Sequence, residues 1–183
     1  FVAYYRRSLP AFLKVKELVE NGSLGKPLTV NIRLHMAYGE KDQFPDKQTW
    51  HTDPDIAGAG HFYDLASHQF DFLDFLFGPV TEVTGIAKNL AGFYAAEDTV
   101  SATFSFESGV MGTGSWCFIV SPEAEEDVIE ISGTKGKVTF SCFQHVDVQL
   151  LTSDGLKNLS FQNPDNISHF LIQQVVQELH GEG

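Results

Sequence analysis

The sequence has few positively charged residues and no long apolar run. These two absences argue against nucleic acid and membrane as partners. Its 12 Lys and Arg residues face 24 Asp and Glu residues, which gives a formal net charge of -12. This balance disfavours nucleic acid and anionic membrane surfaces, because binding to either needs basic patches. No apolar run approaches the roughly 20 residues of a membrane span, and no secretory-signal pattern is present. We therefore predict neither a nucleic-acid partner nor a membrane partner.

Cysteine is scarce, and several well-known catalytic motifs are missing. Cys117 and Cys142 lack the spacing of a metal or redox motif, so we predict two reduced, packed thiols and a cytoplasmic location. There is no G-x-G-x-x-G loop, and no Ser or Cys occupies a nucleophile elbow. Any chemistry must therefore come from another constellation of residues.

The composition and the periodicity of the sequence predict one α+β domain. The 183 residues include 16 Phe, and aromatic side chains pack well on a pleated sheet. Helical periods occur over 11–20, from 61 to 77 and over 167–179, and a strand alternation occurs over 28–36. A meander of strands with tight turns follows over 80–161. We predict a single, mainly antiparallel open sheet with helices on one face; the other face is either an oligomer interface or a plain solvated surface.

The helix that begins after Gly58-Ala59-Gly60 carries a narrow polar stripe. At about 100° per residue, His61, Asp64, His68 and Asp71 fall within an arc of roughly 80°. The stripe contains no Lys, Arg or Glu, although Lys and Glu are the usual residues of a solubilising helix surface. It is either an acid/base or ligand cluster, or a solvated face that uses His and Asp.

Within this stripe, Asp64 and His68 have the i, i+4 spacing that places two side chains one turn apart. A carboxylate beside an imidazole suits a histidine that moves a proton at a hydroxyl or carbonyl group. The same spacing also describes an ordinary surface pair worth a few tenths of a kcal/mol. The glycines of the preceding turn would let a ligand approach the backbone closely.

Two other functions remain open from the residues alone. A metal-dependent hydrolase or isomerase could use His61, Asp64 and His68, although one straight helix seldom directs three ligands at one ion. His51 and Asp53 are possible further ligands for such a site. The third possibility is a non-catalytic sheet domain that only dimerises.

The order and spacing of several short motifs resemble a known family over nearly the whole chain. Trp50, Asp53-Pro54, the sequence AGAG at 57–60, Asp64 and His68 follow a W…DP…(S)GGGxxxDxxxH pattern. Further similar segments are the YYRR sequence at 4–7, the EDT sequence at 97–99 and the GTKG sequence at 133–136. Together they resemble the C-terminal domain of the glucose-fructose oxidoreductase / inositol dehydrogenase / rhizopine-catabolism (Gfo/Idh/MocA) family of NAD(P)-dependent oxidoreductases.

This resemblance implies a two-domain enzyme that transfers a hydride between NAD or NADP and a sugar, polyol or related carbonyl compound. Residues 1–183 would be its C-terminal substrate and oligomerisation domain. The N-terminal Rossmann domain, which would bind most of the cofactor, is absent from this chain. Both ends look like cuts inside a longer protein, so we expect the isolated domain to be inactive. A small-molecule substrate, the Rossmann domain and further copies of the chain are the implied partners.

The resemblance also assigns roles to individual residues. His68 would be the proton donor or acceptor, with Asp64 beside it in the catalytic site. The residues implied at the substrate are Trp50, Tyr5, Arg6 and Gly60, and those implied at the cofactor are Gly58 and Gly60. The chain departs from the family pattern at Ala59, where Gly is usual, and at His51, which is often Arg.

Overall fold

A computed structural model describes residues 1–39 and 50–181 of the chain, and these residues form the predicted α+β fold. The helices are α1 (Pro10–Glu20), α2 (Pro54–Ala57), α3 (His61–Phe77) and α4 (His169–Leu179). The strands are β1 (Pro27–Ala37), β2 (Val80–Lys88), β3 (Thr99–Phe106), β4 (Met111–Val120), β5 (Glu126–Gly133), β6 (Gly136–Phe140), β7 (Val148–Thr152) and β8 (Gly155–Leu159). The long polar segment predicted over 38–56 falls partly outside this description, because residues 40–49 are not among the described residues.

All the described strands belong to one open sheet with the order β2-β3-β4-β1-β5-β6-β7-β8. Neighbouring strands are antiparallel except for β1 and β4, which run parallel. The expected meander is therefore interrupted, because β1 lies between β4 and β5 in the middle of the sheet. The central position of β1 fits its side chains: Val30, Ile32 and Leu34 are at most 1% exposed.

The core lies between one face of the sheet and the helices. Helix α1 buries Phe12, Val15 and Leu18, while α3 buries Phe72 and four other residues. The rings of Phe12 and Phe72 meet edge to face with centroids 4.8 Å apart, which is a favourable aromatic geometry. The high Phe content therefore fills the layer between helices and sheet, as predicted for a sheet-rich fold.

The opposite face of the sheet is polar, with some apolar side chains. Arg33 on β1 pairs with Glu126 on β5 across 2.8 Å. Met111 on β4 and Leu156 on β8 also lie on this face and are 65% and 57% exposed. In the part of the chain that the structure describes, no helix covers this face, so its role as an oligomer interface stays a prediction.

Three smaller features complete the description of the fold. Cys117 and Cys142 are both free thiols, as expected. The N-terminal segment leads into a 3-10 turn over Tyr5–Ser8 that buries Arg6 and Ser8. Among the helices described here, none is long and apolar enough to cross a membrane.

Candidate active site

The two glycines before α3 are required by the backbone. Gly58 ends α2 with φ of 85°, in the left-handed region that favours glycine. At Gly60, an added Cβ would lie 2.7 Å from the carbonyl oxygen of Glu97 and 2.9 Å from Cβ of Ala96. The Gly60 N–H also donates to the Glu97 carboxylate across 3.3 Å. The loop that precedes β3 therefore packs directly on the start of α3.

A pocket of about 540 Å³ opens beside the first two turns of α3. Its walls are largely aromatic, with Tyr4 from the N-terminal segment, Trp50 from the turn before α2, and Tyr63 from α3. Asp64 and Ser67 add polar groups to the same wall. Trp50 is 56% exposed and stacks on the ring of His51 with centroids 3.7 Å apart.

Asp64 and His68 do not form the hydrogen-bonded pair that their spacing suggests. Oδ2 of Asp64 instead lies 3.9 Å from Nε2 of His51, in the 3-10 turn that precedes α2. His51 occupies the position that is often Arg in the resembling family. The structure thus brings Asp64 and His51 together at the pocket and leaves His68 in a different environment.

His68 lies one turn further along α3, among aromatic rings. Its ring centroid is 5.2 Å from that of Tyr4, 5.9 Å from that of Tyr5 and 6.3 Å from that of Phe143. Its Nδ1 atom is buried and has no hydrogen-bond partner. Tyr4 is the direct link between His68 and the pocket, because it contacts the imidazole and also lines the pocket wall.

This environment favours the neutral imidazole. Burial lowers the pKa of His68 below its ordinary value of 6.5, and the positive charge of Arg6 lowers it further. The carboxylates of Asp64 and Asp71 oppose that effect but do not reverse it. A neutral imidazole can accept a proton, which is the state required of a general base.

Arg6, expected at the substrate, is buried behind His68 and is not among the pocket-lining residues. Only 3% of Arg6 is exposed. Its guanidinium carbon lies 4.7 Å from the ring centroid of Tyr5 and 4.4 Å from that of Phe143. Tyr5 likewise packs against His68 and not in the pocket wall.

Asp71 and His61, the other two residues of the polar stripe, contact neighbouring side chains and do not line the pocket. Asp71 pairs with Arg7 through N–O distances of 2.7 and 2.9 Å, and its side chain is only 9% exposed. His61 packs against the ring of Phe118 with centroids 5.5 Å apart. Within residues 1–39 and 50–181, no three His, Cys, Asp or Glu side chains come close enough to hold a metal ion.

Comparison with known proteins identifies the domain. The family model described as the GFO/IDH/MocA C-terminal domain matches residues 12–139. The chain belongs to this family. The family resemblance predicted from the motifs is thereby confirmed.

Relatives and solved structures agree with this assignment. The chain is 28% identical over 176 residues to "Oxidoreductase P35" of Formosa agariphila. The aligned region covers 96% of this chain and 53% of that protein. It is 26% identical to the scyllo-inositol 2-dehydrogenase (NAD(+)) of Bacillus subtilis, over 84% of this chain and 43% of that protein. A structure of levoglucosan dehydrogenase in complex with NADH and L-sorbose superposes with a TM-score of 0.76 at 22% identity, over 90% of this chain and 47% of that one. The chain thus spans about half the length of the relatives it matches.

In this Gfo/Idh/MocA domain, Gly60 at the start of α3 does not offer a free N–H group to a dinucleotide. A pyrophosphate is commonly bound by free N–H groups at a helix start. Here the N–H of Gly60 is already taken by Glu97, and the space beside its Cα is filled by protein. The structure therefore gives Gly58 and Gly60 backbone roles, and a cofactor contact at either glycine stays a prediction.

Some residues at the site were not predicted from the sequence. Tyr63 and Ser67 line the pocket with the i, i+4 spacing of a shared helix side, and this spacing was a usable signal. Phe143, which follows β6, carries no such signal, because only the folded sheet brings it to His68.

Proposed function

We propose that this chain is the substrate-side domain of an NAD(P)-dependent oxidoreductase that acts on a sugar, a polyol or a related carbonyl compound. The observation that carries the proposal is the position of His68. The pKa of its imidazole is lowered, chiefly by burial, which favours the neutral form. The imidazole contacts Tyr4, and Tyr4 lines a pocket large enough for a monosaccharide. The family membership and the names of the relatives support the same reaction class.

The pocket has the chemical character that a sugar or polyol requires. Aromatic faces such as those of Trp50 and Tyr63 pack against the C–H groups of a carbohydrate ring. The Asp64 carboxylate and the Ser67 hydroxyl can bind substrate hydroxyl groups. Asp64 therefore orients the substrate in this proposal, and its contact with His51 holds its own side chain in place.

His68 is the residue that moves the proton. In the oxidation direction the neutral imidazole accepts the proton of the substrate hydroxyl, and in the reduction direction the imidazolium returns it. The nicotinamide supplies the hydride chemistry, and the other half of the parent protein would bind it. The rings of Tyr4 and Tyr5 cover part of the imidazole, and His68 is half-buried.

The parent protein would place a Rossmann domain against the mouth of the pocket. Large apolar side chains around the pocket are exposed in this chain, including Trp50, Ile56 and Tyr63 at 56%, 68% and 63%. Several exposed large apolar side chains close together in the sequence are typical of an interaction site. Closure by that domain would bring the nicotinamide to the substrate and exclude water.

The open face of the sheet is the proposed surface for assembly with further copies. It combines exposed apolar side chains such as Met111 and Leu156 with paired charges such as Arg33 and Glu126. The free thiols of Cys117 and Cys142 are consistent with a reducing compartment such as the cytoplasm.

The proposal is tested in the full-length parent by substituting His68 with Gln. Loss of the general base should lower kcat by about 10²–10⁴-fold with sugar or polyol substrates. The affinity for NAD(P), measured by fluorescence titration, should stay unchanged, because His68 does not hold the cofactor. His169→Gln, on the exposed surface of α4, is the matched control for loss of a histidine. Full turnover in the His68 variant would refute the assigned role.

A further inference from the structure

Arg6 is a buried cation without a carboxylate partner among the residues that the structure describes. Its Nε–H donates to the carbonyl oxygen of Cys142 across 2.8 Å, and its Nη1 is buried without a hydrogen-bond partner. Removing a charge from water costs several kcal/mol unless it is paired. The aromatic contacts with Tyr5 and Phe143 offset only part of that cost. Such an arrangement calls for an explanation other than stability.

The same two rings that hold Arg6 also hold His68. Tyr5 lies 4.7 Å from the guanidinium carbon and 5.9 Å from the imidazole centroid. Phe143 lies 4.4 Å from the guanidinium carbon and 6.3 Å from the imidazole centroid. Arg6 and His68 therefore share both aromatic neighbours; Arg6 is buried, whereas His68 and the two rings are partly buried.

Asp64 and Asp71 are the carboxylates on α3 that act on His68, and Arg6 opposes them. Asp71 is engaged by Arg7 at 2.7 Å. Asp64 is 43% exposed to solvent at its side chain and lies 3.9 Å from His51. Arg7 thus pairs with Asp71 and water reaches Asp64, whereas Arg6 is 3% exposed and its Nε–H donates to a neutral carbonyl oxygen.

One further buried carboxylate, Asp127, acts on Cys142 together with Arg6, and its oxygens accept hydrogen bonds from Ser141 Oγ and from the N–H groups of residues 142–144. Cys142 is buried, and burial raises the pKa of its thiol to about 12, so it stays neutral. Burial is the largest cause of the lowered pKa of His68, and Arg6 is the charged group that lowers it further, against Asp64 and Asp71.

We propose that Arg6 is a positioning residue for His68, whose buried guanidinium keeps the imidazole in its neutral, proton-accepting form and clamps Tyr5 and Phe143 beside it. This inference rests on the proposed function, because it assumes that His68 is the general base. It replaces the direct substrate contact that the family resemblance implies for Arg6. The residue acts on the substrate only through the histidine.

A purely structural role for Arg6 predicts different behaviour. Met has a similar length and an apolar stem, so Arg6→Met would keep much of the packing and remove the cost of burying a charge. A structural role would change the unfolding free energy and leave the protonation of His68 unaffected. The proposed role changes that protonation even if stability is unchanged.

The test is a pH titration of the His68 imidazole by NMR in this chain. Arg6→Met removes the charge, Arg6→Lys retains it, and Arg33→Met removes one positive charge from the remote sheet face. The His68 signal is assigned by its loss in His68→Gln. We expect the titration midpoint to move to higher pH in Arg6→Met and to stay near the wild-type value in Arg6→Lys and Arg33→Met. If Arg6→Met does not fold, Arg6→Gln replaces it.

Two results would overturn the proposal. One is a folded Arg6→Met or Arg6→Gln chain with an unchanged His68 midpoint. The other is a wild-type His68 that titrates at or above the ordinary histidine value, and this measurement needs no variant. Because no turnover is measured, failure here is distinct from failure of the proposed function, which the His68→Gln kinetics in the parent decide.

Discussion

Trp116 of β4 donates its indole Nε1–H to Oε1 of Gln69 on α3 across 2.7 Å, and both side chains have 0% exposure. This is a polar contact inside the aromatic core, one residue from His68. This hydrogen bond fixes the orientation of α3 about its own axis relative to β4 in the sheet. Asp64 and Ser67, which line the pocket from the other side of the helix, are therefore held in place by a hydrogen bond in the core.

Replacing Trp116 with Phe should destabilise the fold by about 1–3 kcal/mol, because the buried Gln69 oxygen loses its donor and a cavity remains. Urea unfolding followed by circular dichroism measures the change. Gln69→Leu combined with Trp116→Phe removes both polar partners, so the double variant should lose less than the sum of the single variants. If the loss of unfolding free energy in the double variant equals the sum of the losses in the two single variants, the hydrogen bond contributes no coupling between Trp116 and Gln69.

Gly60→Ala should destabilise the domain by about 1–3 kcal/mol through overpacking. The added methyl group would lie within 3 Å of the Glu97 carbonyl oxygen and of Cβ of Ala96. The φ of Gly60 is -101°, so backbone strain does not contribute. Ala59→Gly, at the adjacent position, is the control for a one-methyl change in the same turn. Equal stability of Gly60→Ala and wild type would contradict the close approach seen at this position.

Stability should decrease below about pH 6.5 partly because of His68. Its pKa is lowered in the folded chain, chiefly by burial, so the unfolded chain binds the proton more readily. The contribution of His68 to the free energy of unfolding is fully present above the pKa that this residue has in the unfolded chain. It is lost as the pH falls from that value to the lower pKa of the folded chain. Unfolding free energies measured from pH 7.5 to 5.5 should therefore fall less steeply in His68→Gln, with His169→Gln as control. A steeper fall in His68→Gln than in wild type would mean that the sign is wrong.

The two thiols should differ strongly in reactivity. Cys142 is buried, with its pKa raised to about 12, whereas Cys117 is partly exposed on the open sheet face. Because the thiolate is the reactive form, a chromogenic disulfide reagent should titrate one thiol rapidly in the folded chain and two in guanidinium. Cys117→Ser should abolish the rapid phase, and Cys142→Ser should leave it intact. A rapid phase that survives in Cys117→Ser would contradict the burial of Cys142.

Most of the secondary structure follows from short-range patterns. The helix from 61 to 77 was predicted with the bounds that the structure has, because a glycine turn and a Gly-Pro pair flank a clear helical period. The strand over 99–106 also keeps its predicted bounds, since its alternation lies between turn residues. Local periodicity was sufficient to predict the bounds of these two elements, because each of them buries only one side.

The sequence by itself determined the elements, the family motif, and the placement of Asp64 and His68 on one helix. Only the tertiary structure decided that β1 enters between β4 and β5, that Asp64 approaches His51, and that Arg6 lies behind His68. Helical and strand periods depend on neighbours a few residues away, so they can be read from the chain. The electrostatic surroundings of His68 depend on Tyr5 and Phe143, which reach it only when the N-terminal turn and the segment after β6 fold against α3.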